Sequence, residues 1–414
     1  MSTSTRKHRI VILGAGYAGS ITASRLAGHL RRDEVDITVV NAVPDFVERV
    51  RLHQLAAGQE LAKVPLARVF RGSGIRLRLG WVRGLDTEQR RVTVDTDGGV
   101  DAIGYDTLVY ALGSQAAVAP VPGVDTHGFS VSTRTEALRL RDRIAATGGT
   151  GTLTVVGGGL TGLEVASEMA ESHSRLRVRM VTDAELGDWL NPRARAYLRQ
   201  VFARLGIETV TAKVAEVRED AIVTTDGDVL DSDTTVWTTG FAVPGLATES
   251  GLATDADGRI HIDQTMRSAS HPDVYAVGDA AVVRGPQGTI LRMACGTGAP
   301  MALQAADAIA ARLSGRRPHR FVFRYIHQNI SLGRRDGLIQ YVTSDDRPKN
   351  TILKGRAAVM YKEMVNGWAV TFARHAGPYL PRPRRRLVAA SDRRGQSVDD
   401  LGAGELGERL AAHQ

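Results

Sequence analysis

Residues 9–26 read RIVILGAGYAGSITASRL. Residues 10–13 are apolar and rich in β-branched side chains, as in a buried strand, and from Ala18 the apolar positions return at helical spacing. Between them Gly14, Gly16 and Gly19 stand in the G-x-G-x-x-G pattern. The expected structure is strand, tight turn, helix. In such a unit the first glycine permits the turn and the second lets a pyrophosphate approach the backbone. The third lets helix and strand pack closely, and free N–H groups at the helix N-terminus hold the phosphate. The same turn also serves as a plain strand–helix connection, so the rest of the chain must decide.

Further along, the pattern restarts. Residues 153–171, LTVVGGGLTGLEVASEMAE, place Gly157, Gly159 and Gly162 at the same spacing, and the strand RVRMV follows at 177–181. Each copy is closed by a later strand that ends in a small residue and glycine: YDTLVYALGS at 105–114, with Ala111 and Gly113, and VWTTGF at 236–241, with Gly240. Two such units imply two dinucleotide sites. The strand at 37–40 ends on Asn41, where an acidic residue commonly meets a ribose hydroxyl; an amide is neutral there but still hydrogen-bonds. In the second unit the equivalent position is Thr182, with Asp183 next and Glu185 nearby. That acidity favours a free ribose hydroxyl, hence NADH over NADPH, with NADPH left open.

With 414 residues the chain is expected to hold two or three domains, and its 43% hydrophobic and 24% charged residues are those of a globular protein. No apolar run of about 18 residues is present, so no membrane-spanning helix is expected. The N-terminal MSTSTRKHR leads straight into the glycine-turn strand and is not read as a signal peptide. A single cysteine, Cys295, excludes disulfides within the chain and any Cys-x-x-Cys metal or redox pair; no metal site is expected, and a reducing, cytoplasmic compartment is. The formal charge of +8 is concentrated in part at Arg382, Arg384, Arg385, Arg386, Arg393 and Arg394. This reads as a solvated basic tail or as a peripheral contact with anionic lipid at the inner face of the membrane. Nucleic acid is not an expected partner, because no recognition motif or aromatic interleaving accompanies the charge.

Residues 45–60 read as a loop followed by a helix, and 116–124 as a proline-punctuated connection out of the first domain. The chain returns at VYAVGDAA, residues 274–281, where a strand ends on Gly278 and Asp279, and a helix is expected from about 299 to 313 after the flexible Gly296-Thr297-Gly298. Residues 321–368 alternate in segments that suggest antiparallel strands. The fold class is thus α/β with two Rossmann-like domains plus a small C-terminal α+β region. The first domain is discontinuous, 5–118 and 242–314, with the second inserted at 119–241; the C-terminal region is 315–380 and the basic tail 381–414.

This arrangement resembles the flavoproteins with two dinucleotide-binding domains, the pyridine nucleotide-disulfide oxidoreductases and their relatives. GAGYAG, YDTLVYALGS, VVGGGLTGLE, VWTTGF and VYAVGDAA occur in that family's order. The resemblance implies that the first turn binds FAD, that the second binds NADH or NADPH, and that Asp279 bonds the ribityl or phosphate part of the flavin. Glu164 matches the family glutamate that faces the nicotinamide. The helix near Ala299 would aim its free N–H groups at the reduced flavin.

The chain is most similar within that family to type II NADH dehydrogenases, through residues 258–281 and 323–339. Those enzymes carry Ala-Gln-x-x-x-Gln beside a quinone. Here Ala299 and Gln304 fit, and Pro300 departs. One cysteine sets aside disulfide reductases and sulfide:quinone reductases. The implied activity is hydride transfer from NAD(P)H to flavin N5 and electron transfer to a quinone-like acceptor. Pro300 keeps open a soluble carrier, a small metabolite or oxygen as acceptor; a redox sensor is the non-enzymatic alternative. The oligomeric state, a homodimer included, is left open.

Overall fold

The structure is a computed structural model that describes residues 6–117, 121–285, 288–377 and 383–389. The first strand, β1 (His8–Leu13), explains its unbroken apolar run by being buried on both faces. Ile10 and Ile12 pack against the helices on one side, while Val11 and Leu13 pack with Tyr105 and Tyr110 on the other. The turn leads into α1 (Tyr17–His29), then β2 (Val35–Asn41), the short helix α2 (Leu52–Ala56) and β3 (Arg76–Leu79). A three-stranded antiparallel meander, Trp81–Asp86, Arg91–Thr96 and Gly99–Gly104, covers the second face before β4 (Thr107–Tyr110).

The chain then leaves for a second sheet. It contains β5 (Gly128–Phe129), α3 (Arg134–Ala146), β6 (Gly151–Val156), α4 (Leu160–Ser172), β7 (Leu176–Thr182), α5 (Pro192–Leu205), β8 (Glu208–Thr211) and β9 (Thr234–Trp237). The strand order is β8-β7-β6-β9-β5, all parallel. Entry and exit lie side by side. Gln115–Ala116 pairs antiparallel with Phe241–Ala242, so one two-stranded ribbon joins the two sheets.

Back in the first sheet, β10 (Val274–Ala276) completes the parallel order β10-β4-β1-β2-β3, and α6 (Cys295–Leu313) packs beside α1. Arg25 and His29 of α1 both bind Asp307 of α6, at 2.6 and 2.9 Å. The C-terminal unit is the antiparallel sheet β11 (His327–Ser331), β12 (Gly337–Val342) and β13 (Pro348–Lys354), followed by α7 (Arg356–Arg374).

Four sequence expectations change. The helix within 45–60 is only α2 with a 3-10 turn before it, because this segment turns polar residues inward: His53 and Gln54 are buried, and the chain leaves through Gly58 at φ +97°. The helix placed at about Ala299 begins at Cys295, with extended Ala294 as its cap, so Gly296-Thr297-Gly298 is helical. Pro300 fits inside because the carbonyl left without an N–H partner belongs to the exposed Gly296. Phe321, Phe323 and Tyr325 pack as a ring cluster rather than a strand. Finally, α7 occupies the end of the segment expected to be strands.

Of the basic tail, Arg384, Arg385 and Arg386 belong to a strap over residues 383–389. Arg385 N–H donates to His29 O at 2.7 Å, and Val388 N–H donates to Leu313 O at 3.0 Å. Arg382, Arg393 and Arg394 lie outside the described residues.

Candidate active site

The first glycine turn is built by close contacts on one side and open space on the other. Gly14, at φ +93°, lies against the Ala111 carbonyl, and a Cβ at Gly19 would strike the Gly14 carbonyl. A Cβ at Gly16 would meet nothing within 4 Å. Gly16 therefore borders open space at the N-terminus of α1, as a pyrophosphate requires. The second turn repeats this division: Gly162 lies against the Gly157 carbonyl and 2.9 Å, measured from its ideal Cβ, from Thr238 Oγ1, while Gly159 is open.

Asn41 ends β2 and turns back on the first turn. Its Oδ1 accepts from Ala15 N–H at 2.9 Å, and its Nδ2 donates to Val43 O at 2.7 Å. A neutral amide can brace the loop in both roles, whereas a carboxylate can only accept.

Asp279 follows Gly278 (φ +74°) in a 3-10 turn. Its Oδ2 accepts from Ser114 Oγ at 2.6 Å, and the Arg49 guanidinium lies 3.7 Å away. Gly113, at φ +69°, lets this strand end pass beside Arg49. Gly278 packs on Ala18 and on Gly298, so the starts of α1 and α6 meet at this turn. The Tyr17 hydroxyl is buried there with no hydrogen-bond partner, and burial pushes its pKa up. Such an orphaned donor beside two helix starts and an open glycine turn fits a bound flavin dinucleotide. Burial and the Asp279 carboxylate push the Cys295 thiol up to about 11, which leaves it protonated and packed rather than nucleophilic.

In the second module Asp183 is exposed just past β7, and Glu185 is engaged by Arg195 at 2.9 Å and by Arg199. Trp189 Nε1 donates to Gly158 O at 3.2 Å and braces the turn. Gly240, at φ +74°, sits on the ribbon between the sheets, next to Ala117.

Glu164 lies in a buried polar cluster where three parts of the chain meet. Its Oε1 accepts from Ser331 N–H of β11 at 3.1 Å and from Lys362 of α7, and its Oε2 lies 3.7 Å from His53 Nδ1 of α2. Burial opposes the charge, but Lys362 and the hydrogen bonds hold the carboxyl below its usual range. Gln304 does not join this cluster. Its amide Nε2 donates to the carbonyls of His319 and Gln264.

Lys362, Glu168, Arg49 and Ser114 were missed as site residues. Glu164 and Glu168 stand four apart, on one face of the helix, which was a usable signal. Lys362 sits on a helix that the alternating pattern before it concealed.

Two glycine turns, one on each of two parallel sheets, define a two-dinucleotide oxidoreductase. The sequence matches the pyridine nucleotide-disulphide oxidoreductase family over residues 8–310, and the chain belongs to that family. The cofactors are FAD and NADH, and the enzyme is an FAD-dependent NADH dehydrogenase by class. The chain is similar to the NADH dehydrogenase-like protein Rv1812c of Mycobacterium tuberculosis, 31% identical over 71% of this chain and 78% of that protein. It is also similar to the type II NADH:quinone oxidoreductase NdhA of the same organism, 28% identical over 68% of each. Among solved structures, NDH2 from Plasmodium falciparum in complex with NADH shares the fold, with a TM-score of 0.74 at 14% identity over 91% of this chain and 99% of that one.

Proposed function

We propose that this enzyme oxidises NADH and passes the electrons to a quinone at the inner face of the membrane. The observation that carries this reading is the two-sided build of α7. Met360, Met364 and Trp368, spaced four apart, are 73%, 51% and 58% exposed, whereas Lys362 and Asn366 on the opposite face are buried. An exposed apolar stripe of this kind suits a helix lying in a lipid interface. The same helix delivers Lys362 to Glu164, so an acceptor drawn from the lipid would arrive beside the buried charge pair. Arg384 and Arg386 are exposed on the strap and suit anionic headgroups. The name of NdhA supports a quinone as acceptor. No helix among the described residues is long and apolar enough to cross a membrane, which fits a peripheral contact.

FAD, when bound, accepts a hydride from the nicotinamide and passes electrons to the acceptor. The chain's own part is to hold and orient. Gly14, Gly16 and Gly19 would admit the FAD pyrophosphate, Asp279 with Ser114 and Arg49 would take the ribityl side, and Asn41 would keep the turn in place. Gly157, Gly159 and Gly162 would hold NADH, with Asp183 towards its ribose. Glu164 and Lys362 hold a proton between them at the junction, where their burial keeps water away.

Gln304, turned to backbone carbonyls, and Pro300 favour a second reading in which the acceptor is a soluble carrier, a small metabolite or oxygen. One experiment separates the two. The yellow protein is reduced anaerobically with NADH, then offered menadione, a ubiquinone analogue, ferricyanide, ferredoxin and oxygen in turn. Fast reoxidation by the quinones, with binding to anionic vesicles that Met360→Ser/Met364→Ser/Trp368→Ser abolishes, is the expected result. Reoxidation by ferredoxin or oxygen with quinones inert would reject the quinone.

A further inference from the structure

One turn beyond Glu164, Glu168 is completely buried. Its Oε1 accepts from Gln59, and its Oε2 has no partner. Facing it at 3.9 Å is His53 Nε2, also buried and also without a partner, while the other ring nitrogen faces Glu164 at 3.7 Å. Two orphaned polar atoms directed at one another inside a packed junction call for a functional reason.

The surrounding charges are already paired among themselves. From the α2 side Arg51 binds Glu363 of α7, and Arg334, from the turn between β11 and β12, binds the same carboxylate at 3.0 Å. From α4, Glu171 accepts from Arg334 N–H at 3.1 Å, and Lys362 of α7 is held by Glu164. Gln59, which touches Glu168, is only partly buried and follows the exposed Gly58, so the outer end of the row opens to solvent.

We propose that Glu168 and His53 form a proton relay that feeds the Glu164–Lys362 pair from solvent. Glu168 passes its proton to His53 Nε2 as the ring releases the proton on Nδ1 to the Glu164 carboxylate. The step ends with Glu168 ionised, the ring neutral in its other tautomer and Glu164 protonated; no electron moves, and water on the Gln59 side restores the proton to Glu168. Each gap needs to close by about 1 Å to reach hydrogen-bond distance. Burial supports both starting forms: it pushes the Glu168 carboxyl up to about 7 and holds His53 down to about 4, so near neutral pH the acid still carries a proton and the ring is neutral. The relay rests on the quinone reading only for its consumer, since a quinone reduced by a hydride takes up one further proton.

The test uses the FAD-loaded enzyme with Glu168→Gln, Glu168→Asp and His53→Gln. In infrared titration the wild type should show a protonated-carboxyl band that disappears with a midpoint near pH 7, and Glu168→Gln should lack it. With menadione, Glu168→Gln and His53→Gln should slow turnover by about 10-fold or more at pH 6, where Glu168 carries its proton, and Glu168→Asp should restore part of it. Reduction of ferricyanide, which takes electrons without protons, should be unchanged in all three. The absence of the titrating band, or an equal loss with ferricyanide, overturns the relay. If the wild type does not reduce menadione, the quinone reading falls, while the infrared titration still decides whether Glu168 holds the proton.

Discussion

Replacing Lys362 with methionine leaves the Glu164 carboxylate at the three-part junction with the Ser331 N–H as its remaining hydrogen-bond donor. The side chains of Glu164 and Lys362 are only 13% and 9% exposed, so water cannot make up the loss. Removing one partner of a buried pair costs about 3–5 kcal/mol. The retained N–H bond argues for the lower end, about 3 kcal/mol, or roughly 100-fold in the folded-to-unfolded ratio. The pH dependence has a defined sign. In the wild type the Glu164 pKa is lowered on folding, so its contribution is present above the unfolded value and is lost as pH falls. In Lys362→Met burial outweighs the remaining Ser331 hydrogen bond and raises that pKa, so the variant regains stability as pH falls and the difference between the two proteins shrinks. Urea unfolding at pH 8 and at pH 5.5 measures this directly. The double variant Glu164→Gln/Lys362→Met should recover most of the loss at pH 8. A single-variant cost below about 1 kcal/mol at pH 8, or a double variant no more stable than the single one, would refute the account.

The two kinds of glycine in the first turn should behave differently. Gly16→Ala should fold and lose FAD affinity by at least about 10-fold, whereas Gly19→Ala, whose Cβ meets the Gly14 carbonyl, should accumulate little folded protein; circular dichroism and the flavin-to-protein ratio distinguish them. Asp279→Ala should release FAD on dilution, and a variant purified with full yellow stoichiometry would remove Asp279 from the flavin site. Asp183→Arg should shift the NADH-to-NADPH ratio of kcat/KM by about 10-fold or more towards NADPH, and an unchanged ratio would mean that Asp183 does not reach the ribose. At Asp307, burial raises the pKa but hydrogen bonds from His29 and Arg25 bring it down to about 2, so its stabilisation is present above the unfolded value of 3.8 and lost as pH falls towards 2. Because this carboxyl is partly exposed, Asp307→Asn should cost only about 1 kcal/mol at pH 7, read by thermal unfolding, and less at pH 3.

What was legible in the sequence was local and repeated. Both glycine turns, their strands and the closing Gly113, Gly240 and Gly278 follow from backbone requirements that few residues satisfy, so the residue types disclose them. Glu164 was singled out in the sequence, but its surroundings were not. Its partners Lys362 and His53 lie 198 and 111 positions away in sequence, brought close by tertiary packing alone. Gln304 was placed from the resemblance to the Ala-Gln-x-x-x-Gln motif, and its contacts with the His319 and Gln264 carbonyls come from distant parts of the chain that no local pattern discloses. His53 and Gln54 of α2 are buried in a polar junction, and the groups that face His53 there are likewise far away in sequence.

The junction also explains why α7 keeps a lysine and an asparagine on its inner face, where apolar residues would pack more cheaply. A helix lying in lipid is held by its outer stripe, but that stripe fixes neither its rotation nor its register on the protein. Lys362 against Glu164, and Glu363 against Arg51 and Arg334, tie the inner face to the NADH module, the FAD module and the β11–β12 turn at once. Replacing the inner pair by two apolar residues of similar size, Glu164→Leu/Lys362→Leu, should therefore be close to neutral for unfolding, as buried pairs often are. It should nevertheless loosen the orientation of α7, read as faster hydrogen exchange at residues 356–374 in the FAD-loaded enzyme. Equal exchange in the variant and the wild type would show that packing alone positions the helix, and the charge pair would then have to be explained by its chemistry.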